Sequence, residues 1–141
     1  MLAERDRYFD LVNRYRLGEV REFVVDMASG ASIAATEAAT SAERLAMLPD
    51  EWREISRPRR GSAAARILAI LAEHPILSAD GAQELTGSPQ SSVYAAMDRL
   101  ADDGIIHQVT DRQRNRVWGA TDILDELDDL AARIGHRVRN R

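Results

Sequence analysis

Between Ala63 and Ala120 the chain is punctuated so closely that only short elements in one order fit. Ile67, Leu68, Leu71 and Ala72 recur at the spacing of one helix face. Glu73-His74-Pro75 stops that helix, because the residue before a proline is pushed out of the helical region. Ser78 is placed to cap the next helix, its hydroxyl accepting from a free amide two or three residues on. That helix should turn Ala82 and Leu85 inward and stop at Gly87. Ser88 followed by Pro89 reads as a cap residue and a first-turn proline. Val93, Ala96, Met97 and Leu100 then form the buried stripe of a third helix, which Gly104 ends. Ile105–Val109 reads as a strand, Thr110–Asn115 as a polar turn and Val117-Trp118 as the returning strand. Helix, helix, tight turn, helix and hairpin is the order of a winged helix-turn-helix domain. The expected fold class is mainly α with a small β-hairpin.

The flanks are helical in pattern. In residues 1–55, Tyr8, Leu11, Val12 and Tyr15 fall at helical spacing before Gly18, and Val20, Phe23, Val24 and Met27 restart the pattern. Gly30 predicts a break or kink. An alanine-rich stretch follows, with Ile33, Leu45 and Leu48 as its larger apolar residues. Pro49 predicts the first turn of a further short helix through Trp52 and Ile55. These stripes need a partner: each other, a second copy, or a further domain of a longer chain. Residues 56–62, Ser-Arg-Pro-Arg-Arg-Gly-Ser, read as a linker whose arginines are a solvated connector, with a phosphate-binding arm as the alternative. Residues 121–141 form an acidic helix carrying Leu124, Leu127, Leu130 and Ile134. Thr121 or Asp122 caps it, and a basic tail of His136, Arg137, Arg139 and Arg141 follows.

Composition narrows the chemistry. The chain has no cysteine, so it has no disulfide framework, zinc knuckle or thiol nucleophile. None of its three histidines has a carboxylate or second histidine at ligand spacing. The run Asp122, Asp125, Glu126, Asp128, Asp129 lacks the glycine and loop spacing of a calcium site and reads as the solvated face of an amphipathic helix. There is no glycine-rich phosphate loop. The expectation is a chain that is not itself an enzyme and takes no metal or cofactor. Every basic residue is arginine, a usage that suggests a GC-rich, bacterial coding sequence. No apolar run approaches a membrane span and no signal peptide opens the chain, so the expected location is cytoplasmic.

A formal charge of -4 weighs against tight nucleic-acid binding. The candidate DNA contacts are local. With Val93, Met97 and Leu100 inside, the third helix presents Ser91, Tyr94, Ala95 and Asp98 outward, flanked by Ser92 and Arg99. Ser91, Ser92 and Tyr94 can donate to phosphates or base edges, whereas Asp98 repels phosphate. Arg112, Arg114 and Arg116 alternate with Gln113 and Asn115 in the hairpin turn, a pattern suited to backbone or minor-groove contact. The same turn can instead serve to keep an edge hairpin soluble. Any DNA affinity should be weak and salt-sensitive.

The residues also carry a family resemblance. Arg66–Ile106, then Val109–Ala120 with its Asp-Arg-Gln-Arg-Asn-Arg-Val-Trp run, then Thr121–Leu130, resemble the C-terminal winged-helix domain of bacterial Fic-family proteins. Arg5–Ala38 resembles the helices that close a Fic domain after its catalytic loop, with fewer tryptophans and phenylalanines than usual. A Fic active site follows HPFxDGNGRxxR. Here the only His-Pro pair, His74-Pro75, continues as Ile76-Leu77-Ser78, so no catalytic residue carries over. The resemblance implies the non-catalytic, C-terminal part of a larger, AMPylating nucleotidyltransferase, excised or truncated from it. It implies a regulatory or DNA-binding role, or else a protein-interaction and dimerisation role. The expected partners are duplex DNA, a second copy through the N-terminal helices, and a Fic catalytic domain, with no membrane.

Overall fold

The computed structural model describes residues 2–110 and 116–140. Within them the chain is mainly helical with one small antiparallel sheet. The elements are α1 (Leu2–Arg16), α2 (Val20–Ser56), α3 (Ala63–Ile70), β1 (Ile76–Ser78), α4 (Ala79–Thr86), α5 (Gln90–Asp102), β2 (Ile106–Gln108), β3 (Val117–Ala120) and α6 (Thr121–Arg139). They form two compact units, Ala42–Asp128 and Met1–Ser41 with Asp129–Arg141.

In the Ala42–Asp128 unit, α3, α4 and α5 pack on one another and the sheet closes their open side. Its strand order is β1-β3-β2, with Leu77 opposite Trp118 on one edge of β3 and Gln108 opposite Trp118 on the other. The expected pairing of the Ile105–Val109 segment with Val117-Trp118 is present. Strand β1 was not anticipated, because three residues are too few to show alternation. Ser78 ends β1 and caps α4, its Oγ accepting from the Gly81 amide at 3.1 Å. Ser62 caps α3 in the same way through Ala65, at 3.2 Å. Gly87 closes α4 at φ 63°, a left-handed conformation that glycine enters without steric cost.

The core contains Ile67 and Leu68 from α3, Leu71 from its C-cap, and Val93, Ala96, Met97 and Leu100 from α5, whereas Ala72, expected in the first stripe, lies past the end of α3 and is exposed. It also contains Leu48 and Trp52 from the end of α2, both fully buried. The Trp52 indole Nε1 donates to Asp122 Oδ2 at 2.7 Å, fixing the last turns of α2 to the first turn of α6. Arg44 is hydrogen-bonded to Glu51 at 2.6 Å, and that bond holds its guanidinium protonated above its ordinary range.

Several local expectations are corrected. Helix α2 runs unbroken from Val20 to Ser56, through both Gly30 and Pro49. A proline inside a helix costs roughly 3 kcal/mol. Burial of Leu48 and Trp52, on either side of Pro49, is worth about 1.5–3 kcal/mol for each large apolar side chain and offsets that cost. Leu85 is 47% exposed rather than inward. Helix α5 begins one residue later than expected, with Pro89 at the cap position and Ser88 buried beneath it. The basic segment after Ile134 is the last turn of α6, not a separate tail, and Arg141 lies outside the described residues.

In the other unit, Gly18 turns the chain at φ 93° between α1 and α2. Arg14 meets Glu22 at 2.5 Å, and the rings of Tyr15 and Phe23 lie 5.1 Å apart. Further along α2, the buried Glu37 carboxylate accepts from Arg133 Nε at 2.9 Å and from Arg137 Nε at 2.8 Å. Arg133 also donates to the buried Ser41 hydroxyl at 2.7 Å. Among the described residues no helix is long and apolar enough to cross a membrane.

Trp52→Ala is expected to lower the unfolding free energy by about 3–5 kcal/mol, the cost of emptying a large buried site. Trp52→Phe should cost less but more than a surface change, because it leaves Asp122 without its indole donor. Urea denaturation followed by circular dichroism measures both.

Candidate nucleic-acid interface

Helix α5 sorts its residues by face. Val93, Met97 and Leu100 are buried, and Ser91, Ser92, Tyr94, Ala95 and Asp98 are exposed. Tyr94 is 38% exposed. The carboxylate of Asp98 shares this face, so the helix offers hydroxyl donors with a local negative charge among them.

Arg99 is placed differently from the sequence expectation of a DNA contact. Its Nη2 donates to the Ser56 carbonyl and lies 3.5 Å from the Arg57 carbonyl, and its Nε is 3.8 Å from an Asp103 carboxylate oxygen. The guanidinium therefore ties α5 to the segment after α2. That segment is sharply set. The Arg57 amide donates back to the Arg53 carbonyl at 2.9 Å, and Arg57 takes φ 44°. This is the helix-closing position that glycine usually fills, and the left-handed conformation costs an L-residue about 1–2 kcal/mol. Pro58 follows, so helix α2 cannot continue.

Beyond it, an open groove of about 470 Å³ lies between the connector, α3 and α5. Arg59, Arg66 and Arg99 line it together with Ser62, Ser88 and Ser92, and among the described residues no carboxylate lines it. Arg66 Nη1 donates to the Thr86 carbonyl at 3.2 Å. The Arg59 side chain is exposed and makes no hydrogen bond or ion pair among the described residues. Sequence reasoning favours a solvated connector for Arg59, with a phosphate-binding arm as the alternative, and does not single out Arg66. The available signal was the position of Arg66 one turn beyond the Ser62 cap, beside rather than within the Ile67, Leu68 stripe.

At the hairpin, Arg116 sits with its guanidinium carbon 5.4 Å from the Trp118 ring centroid, a cation–π contact. Arg112 and Arg114, with Gln113 and Asn115, lie outside the described residues. Thr110 Oγ1 accepts from the Val117 amide at 3.2 Å, bringing the two strands together just before that segment. The site residues named from sequence thus divide: Ser91, Ser92 and Tyr94 share an exposed face, Arg99 faces the connector, and Arg116 covers Trp118.

The histidines occupy separate places. His107 Nδ1 lies 3.2 Å from Thr121 Oγ1, and His136 meets Asn140 one turn on. Among the described residues no group of three or more His, Cys, Asp or Glu is arranged to hold a metal ion. Compared with known proteins, the sequence matches no family model and no curated relative.

The two faces of α5 should respond differently to truncation. Ser91→Ala and Tyr94→Ala are expected to change stability by no more than about 0.5 kcal/mol. Met97→Ala, fully buried, should cost about 2–5 kcal/mol. Parallel thermal and urea melts check this contrast, and they establish which variants remain folded for binding work.

Proposed function

We propose that the Ala42–Asp128 unit acts as a non-catalytic, winged-helix DNA-binding module that engages duplex DNA weakly. The observation that carries this reading is the α4–Gly87-Ser88-Pro89–α5 arrangement, with the polar outer face of α5 open to solvent and an arginine groove beside it. In a helix-turn-helix the second helix of the motif enters the major groove. Ser91, Ser92 and Tyr94 are then the donors available to base edges and phosphates, while Asp98 limits affinity. The arginines between β2 and β3 supply backbone attraction. The resemblance to C-terminal parts of Fic proteins adds a setting for this module: beside a nucleotidyltransferase domain in a bacterial cytoplasm, delivering or regulating it.

A second reading, a protein-contact module, is favoured by the N-terminal helices. Tyr8, Phe9, Val24, Val25 and Met27 are each 53–56% exposed. They accompany an open trough of about 1200 Å³ lined by Leu11, Val25 and Ile33, and by Asp10, Arg14, Arg21 and Asp26. Charges of both signs on one face suit a two-fold contact, in which each patch meets itself. A second copy of this chain is therefore the partner proposed for it.

For DNA, anisotropy titrations on a labelled duplex at several salt concentrations should show binding that weakens steeply with salt. Arg112→Ala/Arg114→Ala is expected to reduce the slope of log affinity against log salt by about 1.8, at about 0.9 per phosphate contact. Arg116 is retained in that variant to preserve its stack on Trp118. Absence of wild-type binding at low salt would remove the DNA reading. For the second reading, sedimentation velocity should show a dimer at raised concentration that Val25→Glu converts to monomer. A wild-type monomer throughout would remove it.

A further inference from the structure

The geometry points to the groove between the connector and α5 as a phosphate-binding site, in which Arg59 and Arg66 contact the backbone of a DNA duplex presented to α5. The inference rests on the DNA-binding reading and moves part of its electrostatic contact away from the hairpin arginines.

Four features of one place support it. First, the chain carries a net charge of -4, yet Arg59, Arg66 and Arg99 line this groove and, among the described residues, no carboxylate does. A cationic concavity on an acidic protein concentrates its field on a local anion. Second, the groove is shared with the candidate reading helix: Ser92 and Ala95, on the exposed face of α5, also line it. A duplex lying on that face therefore carries a strand of phosphates past the groove. Third, the cations differ in their commitments. Arg99 is occupied by the Ser56 carbonyl and lies near Asp103. The Arg66 guanidinium donates to the Thr86 carbonyl and carries further N–H donors. The Arg59 side chain is exposed and makes no hydrogen bond or ion pair among the described residues. Fourth, the connector is not slack. Arg57 takes φ 44°, Arg99 donates to the Ser56 carbonyl, and the Arg59 carbonyl accepts from the Ser62 amide at 3.0 Å, which sets the backbone that carries the Arg59 side chain. The Ser62 and Ser92 hydroxyls add neutral donors of the kind that accompany arginine at phosphates.

A free phosphate would satisfy the same donors, so the source must be distinguished. Continuity with the α5 face assigns it to the duplex backbone.

The test uses the full chain with three variants beside wild type. Arg59→Ala removes a side chain without a partner among the described residues. Arg59→Ala/Arg66→Gln keeps an amide donor for the Thr86 carbonyl. Arg60→Ala removes a neighbouring arginine that does not line the groove. Thermal melts are expected to coincide for all four proteins. Salt-dependent duplex titrations should lose about 0.9 of slope for Arg59→Ala and about 1.8 for the double variant, with Arg60→Ala unchanged. If both groove variants keep the wild-type slope while Arg112→Ala/Arg114→Ala lowers it, the groove is not a contact and the DNA reading survives. An equal loss for Arg60→Ala means diffuse charge rather than a site, and overturns the inference. Failure of wild type to bind duplex at low salt overturns both readings. Saturable binding of inorganic phosphate in that case would make the groove a small-anion site.

Discussion

The burial of Trp52 is the constraint on which the larger unit depends. Its indole is fully enclosed, and its one polar atom is satisfied by Asp122. Without that acceptor a buried N–H would cost about 1–3 kcal/mol. The pair therefore specifies position as well as supplying apolar burial. It sets the last turns of α2 against α3–α5 and the first turn of α6, and Leu48 fills the site one turn earlier. With α2 held there, its end falls at Ser56 and the connector starts within reach of Arg99. The course of Arg57–Ser62, and so the existence of a basic groove, follows from where one tryptophan is buried.

Polar groups perform the corresponding task in the other unit. Glu37 would be an isolated buried charge but for Arg133 and Arg137, which reach it from α6. Such a cluster adds little net stability over an apolar contact, because the buried Glu37 carboxylate must first be removed from water. Its effect is on alignment: a carboxylate with two guanidinium partners accepts few helix positions. The apolar residues of α1 and early α2, by contrast, remain largely open.

Much of the α3–β3 region was legible in the sequence because its signals are short-range. The Ser78 cap, the Gly87 stop and the α5 stripe of Val93, Ala96, Met97 and Leu100 follow from neighbours a few residues apart, and the pairing of the Ile105–Val109 segment with Val117-Trp118 follows from the polar run between them. What escaped was decided at long range. Pro49 and Gly30 look like helix breakers locally, but tertiary burial carries α2 through the first. Trp52 gave no sign that its partner would be Asp122. Arg99 read as an outward cation on an outward face, since nothing local reveals the backbone carbonyls at Ser56 and Arg57 that capture it. The groove was hidden for the same reason: Arg59, Arg66 and Ser92 lie on three elements, and only packing joins them.

The placement of Leu48 and Trp52 has a consequence for modularity. Counting from the first helix of the three-helix set, the natural cut would fall in the glycine- and serine-containing connector near Ser62. A fragment cut there would lack both side chains and expose the pocket they fill, with Asp122 stripped of its donor. The transferable piece is longer, beginning near Ala42, where the compact unit begins. Any chimera, domain swap or recombination that moves this module must carry the closing turns of the preceding helix with it. The boundary of the compact unit lies inside a helix rather than in a loop.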